Sequence, residues 1–264
     1  MNYLEALILG VIQGLSEFLP VSSSGHLELA KAILGTEAKE KLSFTVVVHG
    51  ATVLSTIVVF RKEIIQLIKG LFEFKWNFET KYIAMIAVSM IPVGIVGVLF
   101  KDQVEGLFSG NILLVGSMLI VTGLLLSFTY FAKANIRDIN FKDSLIIGFA
   151  QAMAVIPGIS RSGSTIATGI MLGAKKDEVA RFSFLMVLVP IIGANVKDIF
   201  DGSFTSSTGV GEMALLIGFI AAFISGLLAC KWMINIVKRG KLIYFAIYCF
   251  IIGTAAISYA LFFA

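Results

Sequence analysis

Two long apolar segments of this chain are broken in the middle by polar turns, and no other feature narrows the possible folds so far. Residues 3–33 break at Pro20-Val21-Ser22-Ser23-Ser24-Gly25-His26. Residues 144–173 break at Pro157-Gly158-Ile159-Ser160-Arg161-Ser162-Gly163-Ser164-Thr165. Proline removes a helical N–H and glycine loosens the backbone, so each segment reads as two half-helices joined by a polar turn. Six further apolar runs lie near 44–60, 82–100, 111–131, 182–197, 214–231 and 242–263. They approach the ~20 residues that a helix needs to cross the hydrocarbon core. Hydrophobic residues make up 58% of the chain and charged ones 14%, too little polar surface to cover a water-soluble globule. The chain therefore reads as an all-α polytopic membrane protein, one membrane domain over 1–264 with six crossing helices. Irregular backbone at membrane depth survives only where protein or a wet cavity covers it, so the broken segments are expected to be two re-entrant helix hairpins.

The two halves of the chain resemble each other. Leu7-Ile8-Leu9-Gly10-Val11-Ile12-Gln13 matches Leu145-Ile146-Ile147-Gly148-Phe149-Ala150-Gln151 at an offset of 138, and Ser43-Phe44 matches Ser183-Phe184 at an offset of 140. Each half continues with three crossing segments, and an odd number of crossings turns the second copy over. The expectation is an inverted-topology repeat, with one copy over about 1–131 and the other over about 142–264. Such repeats form ligand sites near the midplane from discontinuous helices.

Charge gives an orientation. The connections at 61–81, 132–143, 174–181 and 231–241 carry 15 Lys and Arg, against 5 in the opposite set at 31–43, 101–109 and 197–213. The richer set belongs on the cytoplasmic side. Both termini then lie outside, the first hairpin dips in from the outer face and the second from the cytoplasm. The expected location is the cytoplasmic (inner) membrane. The same placement argues against a nucleic-acid partner, because the basic residues sit where membrane topology puts them. Cys230 and Cys249 occupy separate apolar runs without CxxC spacing and read as packing residues. The N-terminus lacks the basic start and cleavage site of a removable signal, so the first segment is expected to stay.

Ionisable groups within the bilayer are functional hypotheses by default. Gln13 and Glu17 share a helix face and offer oxygens to a hard divalent cation, Mg²⁺ or Ca²⁺. Arg161 stands in an opened turn, and its guanidinium suits phosphate oxygens or an ion pair with Glu17 across the bundle. Ser22, Ser23, Ser24, Ser160, Ser162, Ser164 and Thr165 supply hydroxyls, while Gly25, Gly158 and Gly163 let backbone N–H groups approach a ligand. A helix restarting after such a turn points its positive end at the pocket. His26 is a candidate nucleophile, general base or general acid. His49, in an otherwise apolar run, reads as a packing or helix-bonding residue. Glu28 reads as interfacial, and Asn195 and Lys197 as snorkelling or capping groups.

Gln13-Gly14-Leu15-Ser16-Glu17 followed by Ser22-Ser23-Ser24-Gly25-His26 resembles the (E/Q)xxxE segment and SS(S/T)GH turn of undecaprenyl-diphosphate phosphatases, the bacitracin-resistance family. Pro157-Gly158-Ile159-Ser160-Arg161-Ser162-Gly163-Ser164-Thr165 is similar to that family's PGxSRSxxT signature. The resemblance runs along the whole chain. It implies six crossing helices, two re-entrant pairs, and metal-dependent removal of the terminal phosphate from a polyprenyl diphosphate lipid, which regenerates the carrier for cell-wall synthesis. It also implies Glu17 as the essential acid, Gln13 beside it, and Ser23, His26, Ser160, Arg161 and Thr165 around the substrate. The nucleophile stays open among His26, Ser23 and water, and the unit works either alone or as a homodimer. Two rivals stand beside this reading. A transporter or flippase of a lipid phosphate would use the same architecture. A lipid phosphatase of the phosphatidic acid type needs a second His and an Asp beyond the Ser-Arg pair, where Ala167 and its neighbours supply neither.

Overall fold

The computed structural model describes residues 1–34, 41–108, 110–132, 137–193 and 211–262. Among them there is no strand, only an isolated bridge between Arg137 and Ala174. The helices are α1 (Tyr3–Phe18), α2 (Ser23–Leu34), α3 (Lys41–Val59), α4 (Arg61–Leu71), α5 (Phe78–Leu99), α6 (Lys101–Leu107) and α7 (Ile112–Phe128). They are followed by α8 (Phe141–Met153), α9 (Arg161–Met171), α10 (Lys176–Met186), α11 (Glu212–Lys238) and α12 (Ile243–Phe262).

Among the described residues, four helices are long and apolar enough to cross a bilayer: α5, α7 with its 3-10 extension to Phe131, α11 and α12. They coincide with four of the six runs. The run at 44–60 is α3, which qualifies only together with α4, and the pair bends by 76° at Phe60. The run at 182–197 starts in α10, continues as a short helical stretch at 188–193, and ends outside the described residues, as do Asn195 and Lys197. The helix surfaces agree with a lipid solvent. On α11, Leu216, Ile220, Ile224 and Leu228 are exposed at every fourth position, whereas Gly218, Ala222, Ser225 and Ala229 are buried on the other side. A water-soluble protein hides its large side chains and exposes its small ones less selectively. Here the bulky stripe faces out and the small stripe packs, as in membrane bundles. The protein is a multi-pass membrane protein.

The broken segments fold as helix–turn–helix pairs. α1 starts on Asn2 and α8 on Asn140, each closed by a capping box with the acid three residues on, Glu5 or Asp143. The offset is again 138. α1 packs most extensively on α11, and α8 on α5. Each approach is made through a glycine: a Cβ at Gly10 would strike the Gly218 carbonyl, and one at Gly148 the Ser89 carbonyl. α7 and α12 pack on each other, with Gly116 and Gly253 face to face. Beneath the turns, Phe18 packs edge-on against Phe184 (ring centroids 5.8 Å) and Phe60 lies against the same ring (6.0 Å). This aromatic floor holds the end of α1 at the level where α9 begins. Cys230 and Cys249 are buried free thiols, as packing residues would be.

Candidate active site

Both turns are built by the same hydroxyl pattern. In the first, Ser22 Oγ accepts from Gly25 N (3.2 Å) and lies 3.3 Å from Ser24 Oγ. In the second, Ser160 Oγ accepts from Gly163 N (3.0 Å) and lies 3.3 Å from Ser162 Oγ. Each serine caps the helix that restarts after it and leaves the next residue at the helix start: Ser23 on α2, Arg161 on α9. The turns meet. A Cβ at Gly25 would lie 3.0 Å from Gly158 Cα, and one at Gly163 would lie 3.3 Å from Pro20 Cβ. Ser162 Oγ also donates to Leu19 O (3.2 Å) across the gap. Gly158 has a φ of +96°, and a Cβ there would stand 2.5 Å from Val115 O, so only glycine fits.

The carboxylate of Glu17 is the hub. Arg161, itself partly exposed, reaches this buried carboxylate from the second turn as an ion pair. Ser23 Oγ donates to Glu17 Oε2 at 2.6 Å, and Gln13 Nε2 donates to the same oxygen at 2.9 Å. The structure thus brings together Gln13, Glu17, Ser23 and Arg161, which the sequence placed 148 residues apart at its extremes. Behind Arg161, the buried Thr165 hydroxyl donates to Arg161 O (2.8 Å) and meets Ser183 Oγ at 2.6 Å. Ser164 Oγ is buried without a partner among the described residues. A crevice of about 10 Å³ remains beside Glu17 and Arg161, bounded by Thr52 and Thr56 of α3. That holds on the order of one water, so a phosphate enters only if the pair parts.

His26 is placed differently from Ser23. Its Nδ1 donates to Ser22 O (2.9 Å), because a carbonyl can only accept, and Nε2 then accepts from the Tyr248 hydroxyl (2.9 Å). The ring stacks on Tyr248 with centroids 5.6 Å apart. Both nitrogens are occupied, and neither partner belongs to the Glu17 cluster. Glu28 pairs with Lys31 one turn on, at 3.2 Å.

Three residues contribute that sequence reasoning passed over or undervalued. His49 donates Nδ1 to Thr45 O (2.8 Å), which is the helix bonding expected of it, but its Nε2 faces Glu17 Oε2 at 3.9 Å. Thr122 on α7 donates to Gly158 O and accepts from Ser160 N, both at 2.9 Å, and so fixes the second turn. Tyr248 holds His26. A lone threonine or tyrosine in an apolar run carries no signal of its own; only the offset pattern of the turns hints that something must satisfy their backbone groups.

A family model described as "Bacitracin resistance protein BacA" matches residues 6–255. The chain belongs to this family. Relatives extend over nearly its whole length. A protein named undecaprenyl-diphosphatase from Bacteroides fragilis is 57% identical, covering 97% of this chain and 98% of its own. One from Bacteroides thetaiotaomicron is 56% identical over the same shares. A more distant one from Methanobrevibacter smithii is 38% identical over 96% of each chain. The matched range, 6–255, takes in both turns that converge on Glu17.

The donor set bears on a cation. Gln13 Oε1 is buried beside Glu17 and has no partner among the described residues, an oxygen poised for a hard ion. Yet those residues contain no group of three or more His, Cys, Asp or Glu that could hold a metal. One carboxylate and one amide would give a hard cation two oxygen donors, too few to enclose it.

Proposed function

We infer that this protein hydrolyses undecaprenyl diphosphate to undecaprenyl phosphate and inorganic phosphate. The observation that carries the reading is the convergence of Arg161, Ser23 and Gln13 on Glu17 at the meeting point of two helix N-termini. A diphosphate needs cationic and N–H partners for its oxygens and a base for the attacking group, and these are what the two turns supply. The relatives' names point the same way, toward a phosphatase rather than the transporter that the architecture alone would permit.

The geometry supports Ser23 over His26 as the attacking group. Ser23 Oγ already donates its proton to Glu17, the arrangement of a nucleophile and its base. In the proposed sequence Arg161 leaves Glu17 for the terminal phosphate, which frees the carboxylate to take the Ser23 proton. The Ser23 oxygen bonds to the terminal phosphorus as the bridging P–O bond breaks, and undecaprenyl phosphate departs. Glu17 passes the Ser23 proton to the departing undecaprenyl phosphate and, again a carboxylate, takes one from water, whose oxygen bonds to the phosphorus as the Ser23 O–P bond breaks. The proton returns to Ser23 Oγ and inorganic phosphate leaves. Arg161 and the N–H groups at the starts of α2 and α9 offset charge as the phosphoryl group loosens. Gln13 and Glu17 would hold a Mg²⁺ or Ca²⁺ ion, which supplies further charge neutralisation at the phosphate oxygens. Ser160, Ser162, Ser164, Thr165 and Ser24 line the approach, and Gly25, Gly158 and Gly163 keep the turns close.

The architecture we infer is an inverted repeat with two re-entrant hairpins. Its support is the exchange of partners, α1 on α11 and α8 on α5, together with the capping boxes and glycine contacts at one offset. With the charge asymmetry, the site opens to the outer face of the cytoplasmic membrane. Purified protein in detergent, where no second compartment exists, is expected to release phosphate from undecaprenyl diphosphate, and a chelator is expected to suppress it. Well-folded protein that binds the lipid but releases no phosphate would turn the reading to transport.

A further inference from the structure

A wide apolar recess lies along a different face of α1 from the one that carries Gln13 and Glu17. It is a groove of about 660 Å³ between α1, the first turn, the end of α11 and the start of α12. Its apolar walls include Ile12, Leu15, Ile236 and Phe245, and His26 with Tyr248 borders it at the first turn. Ile12, Leu15 and Leu19 follow a helical stripe on α1, distinct from the Gln13–Glu17 edge that faces α9. The groove ends at charge: Arg239 and Lys241 line its mouth. Gly240 between them turns with a φ of +68°, and a Cβ there would come within 2.7 Å of Lys176 Nζ, so a third cation stands over the same turn. Among the described residues no carboxylate pairs with Arg239 or Lys241. Trp232 and Tyr244, both more than half exposed, flank the mouth. Such rings settle at headgroup level.

An apolar trough that runs into unpaired cations beside interfacial aromatics has the chemistry of a lipid whose head is an anion. Basic pockets between membrane helices hold anionic headgroups by this combination. We propose that this groove binds one anionic phospholipid of the surrounding bilayer, with its phosphate at Arg239, Lys241 and Lys176 and an acyl chain along α1 and α11. Charge complementarity selects the occupant. A zwitterionic lipid would leave the cations uncompensated, and the reaction's own diphosphate has its partners on the Gln13–Glu17 face of α1. The groove adjoins the first turn through His26 and Tyr248, but the residues that would hold the phospholipid phosphate are not those around Glu17.

The chain has two tryptophans, Trp76 and Trp232. Trp76 stacks on Phe141, so Trp76→Phe keeps an aromatic contact and leaves Trp232 as the sole reporter in the groove. The full-length variant would be reconstituted in vesicles containing either dibrominated phosphatidylglycerol or dibrominated phosphatidylcholine, whose bromines quench nearby tryptophan. The expected result is a preference for phosphatidylglycerol at Trp232 of roughly fivefold per cation engaged. That excess disappears in Arg239→Gln/Lys241→Gln, while quenching by phosphatidylcholine stays as before, which shows the groove intact. Equal quenching by the two lipids, or an excess that survives the double substitution, overturns the proposal. Loss of the excess on adding a few mole per cent of undecaprenyl phosphate also overturns it, because the groove would then belong to the reaction's lipid.

Discussion

The two hairpins share a scaffold and divide the chemistry. At an offset of 138, Asn2 and Asn140 cap the first helices, Gly10 and Gly148 let them pack, and Ser22 and Ser160 cap the restarting ones. Even the amide oxygens of Gln13 and Gln151, which have no partner among the described residues, correspond. Among the positions that differ are those that would react. Ser23 stands where the second copy has Arg161, Glu17 where it has Val155, and His26 where it has Ser164. One hairpin brings the acid and the hydroxyl, the other the permanent cation. Neither turn alone could stabilise a diphosphate and activate an attacking group. The site exists because the two tips touch.

The largest effect that could break this division is at Arg161. Arg161→Ala removes the cation of the second turn, and kcat for phosphate release is expected to fall about 10²–10³-fold, the cost of losing an electrostatic donor in a site closed to water. Turnover near that of the wild type would show that the second hairpin is scaffold only. The turns also differ in how they are made. Gly158→Ala puts a Cβ against Val115 O in a left-handed conformation, and should cost roughly 2–4 kcal/mol in unfolding measured in detergent. Ser22, at a φ of +71°, tolerates the opposite change. Ser22→Gly relieves the backbone while losing the cap, and its midpoint should hardly move. A smaller loss, about 2 kcal/mol, is expected for Thr122→Val, which leaves Gly158 O and Ser160 N unpaired. Hydrogen exchange localised to 158–160 would check it.

A modest, pH-dependent effect concerns the connection between the halves. Glu178 Oε1 accepts from Ile139 N (3.0 Å), with Asp138 and Lys175 paired beside it at 2.7 Å. Burial, helped by the Asp138 carboxylate, pushes the Glu178 carboxyl up to about 7 from its ordinary 4.5. The folded state therefore binds this proton more tightly than the unfolded chain. Its stabilisation is full below about 4.5, is lost as pH rises to about 7, and is absent above. Glu178→Gln should flatten the unfolding midpoint across that window and raise it at pH 8. Solvent screening at this half-buried group holds the gain to ~1 kcal/mol.

Much of this was legible in the sequence because its cause is local. Apolar runs of crossing length announced α5, α7, α11 and α12, and Pro20, Gly25, Pro157 and Gly158 marked the breaks. The pairing of Glu17 with Arg161 followed from the cost of a buried charge without a partner. What escaped depends on rotation and register. His49 reads as an apolar-run histidine until α3 is turned so that one nitrogen bonds Thr45 and the other faces Glu17. The 76° bend after α3 is invisible, since Phe60 and Arg61 only end one pattern and begin another. His26 sits one turn from Ser23, yet that rotation carries it to Tyr248.

The most direct test of the shared site is phosphate release from undecaprenyl diphosphate by Glu17→Gln, Arg161→Gln and the double variant, at equal amounts of folded protein. Groups that act as one unit lose their function together. The account predicts two severe single losses and a double variant no worse than the poorer of them. Losses that multiply, or a single variant with near-normal turnover, would mean that the two hairpins do not form one catalytic centre.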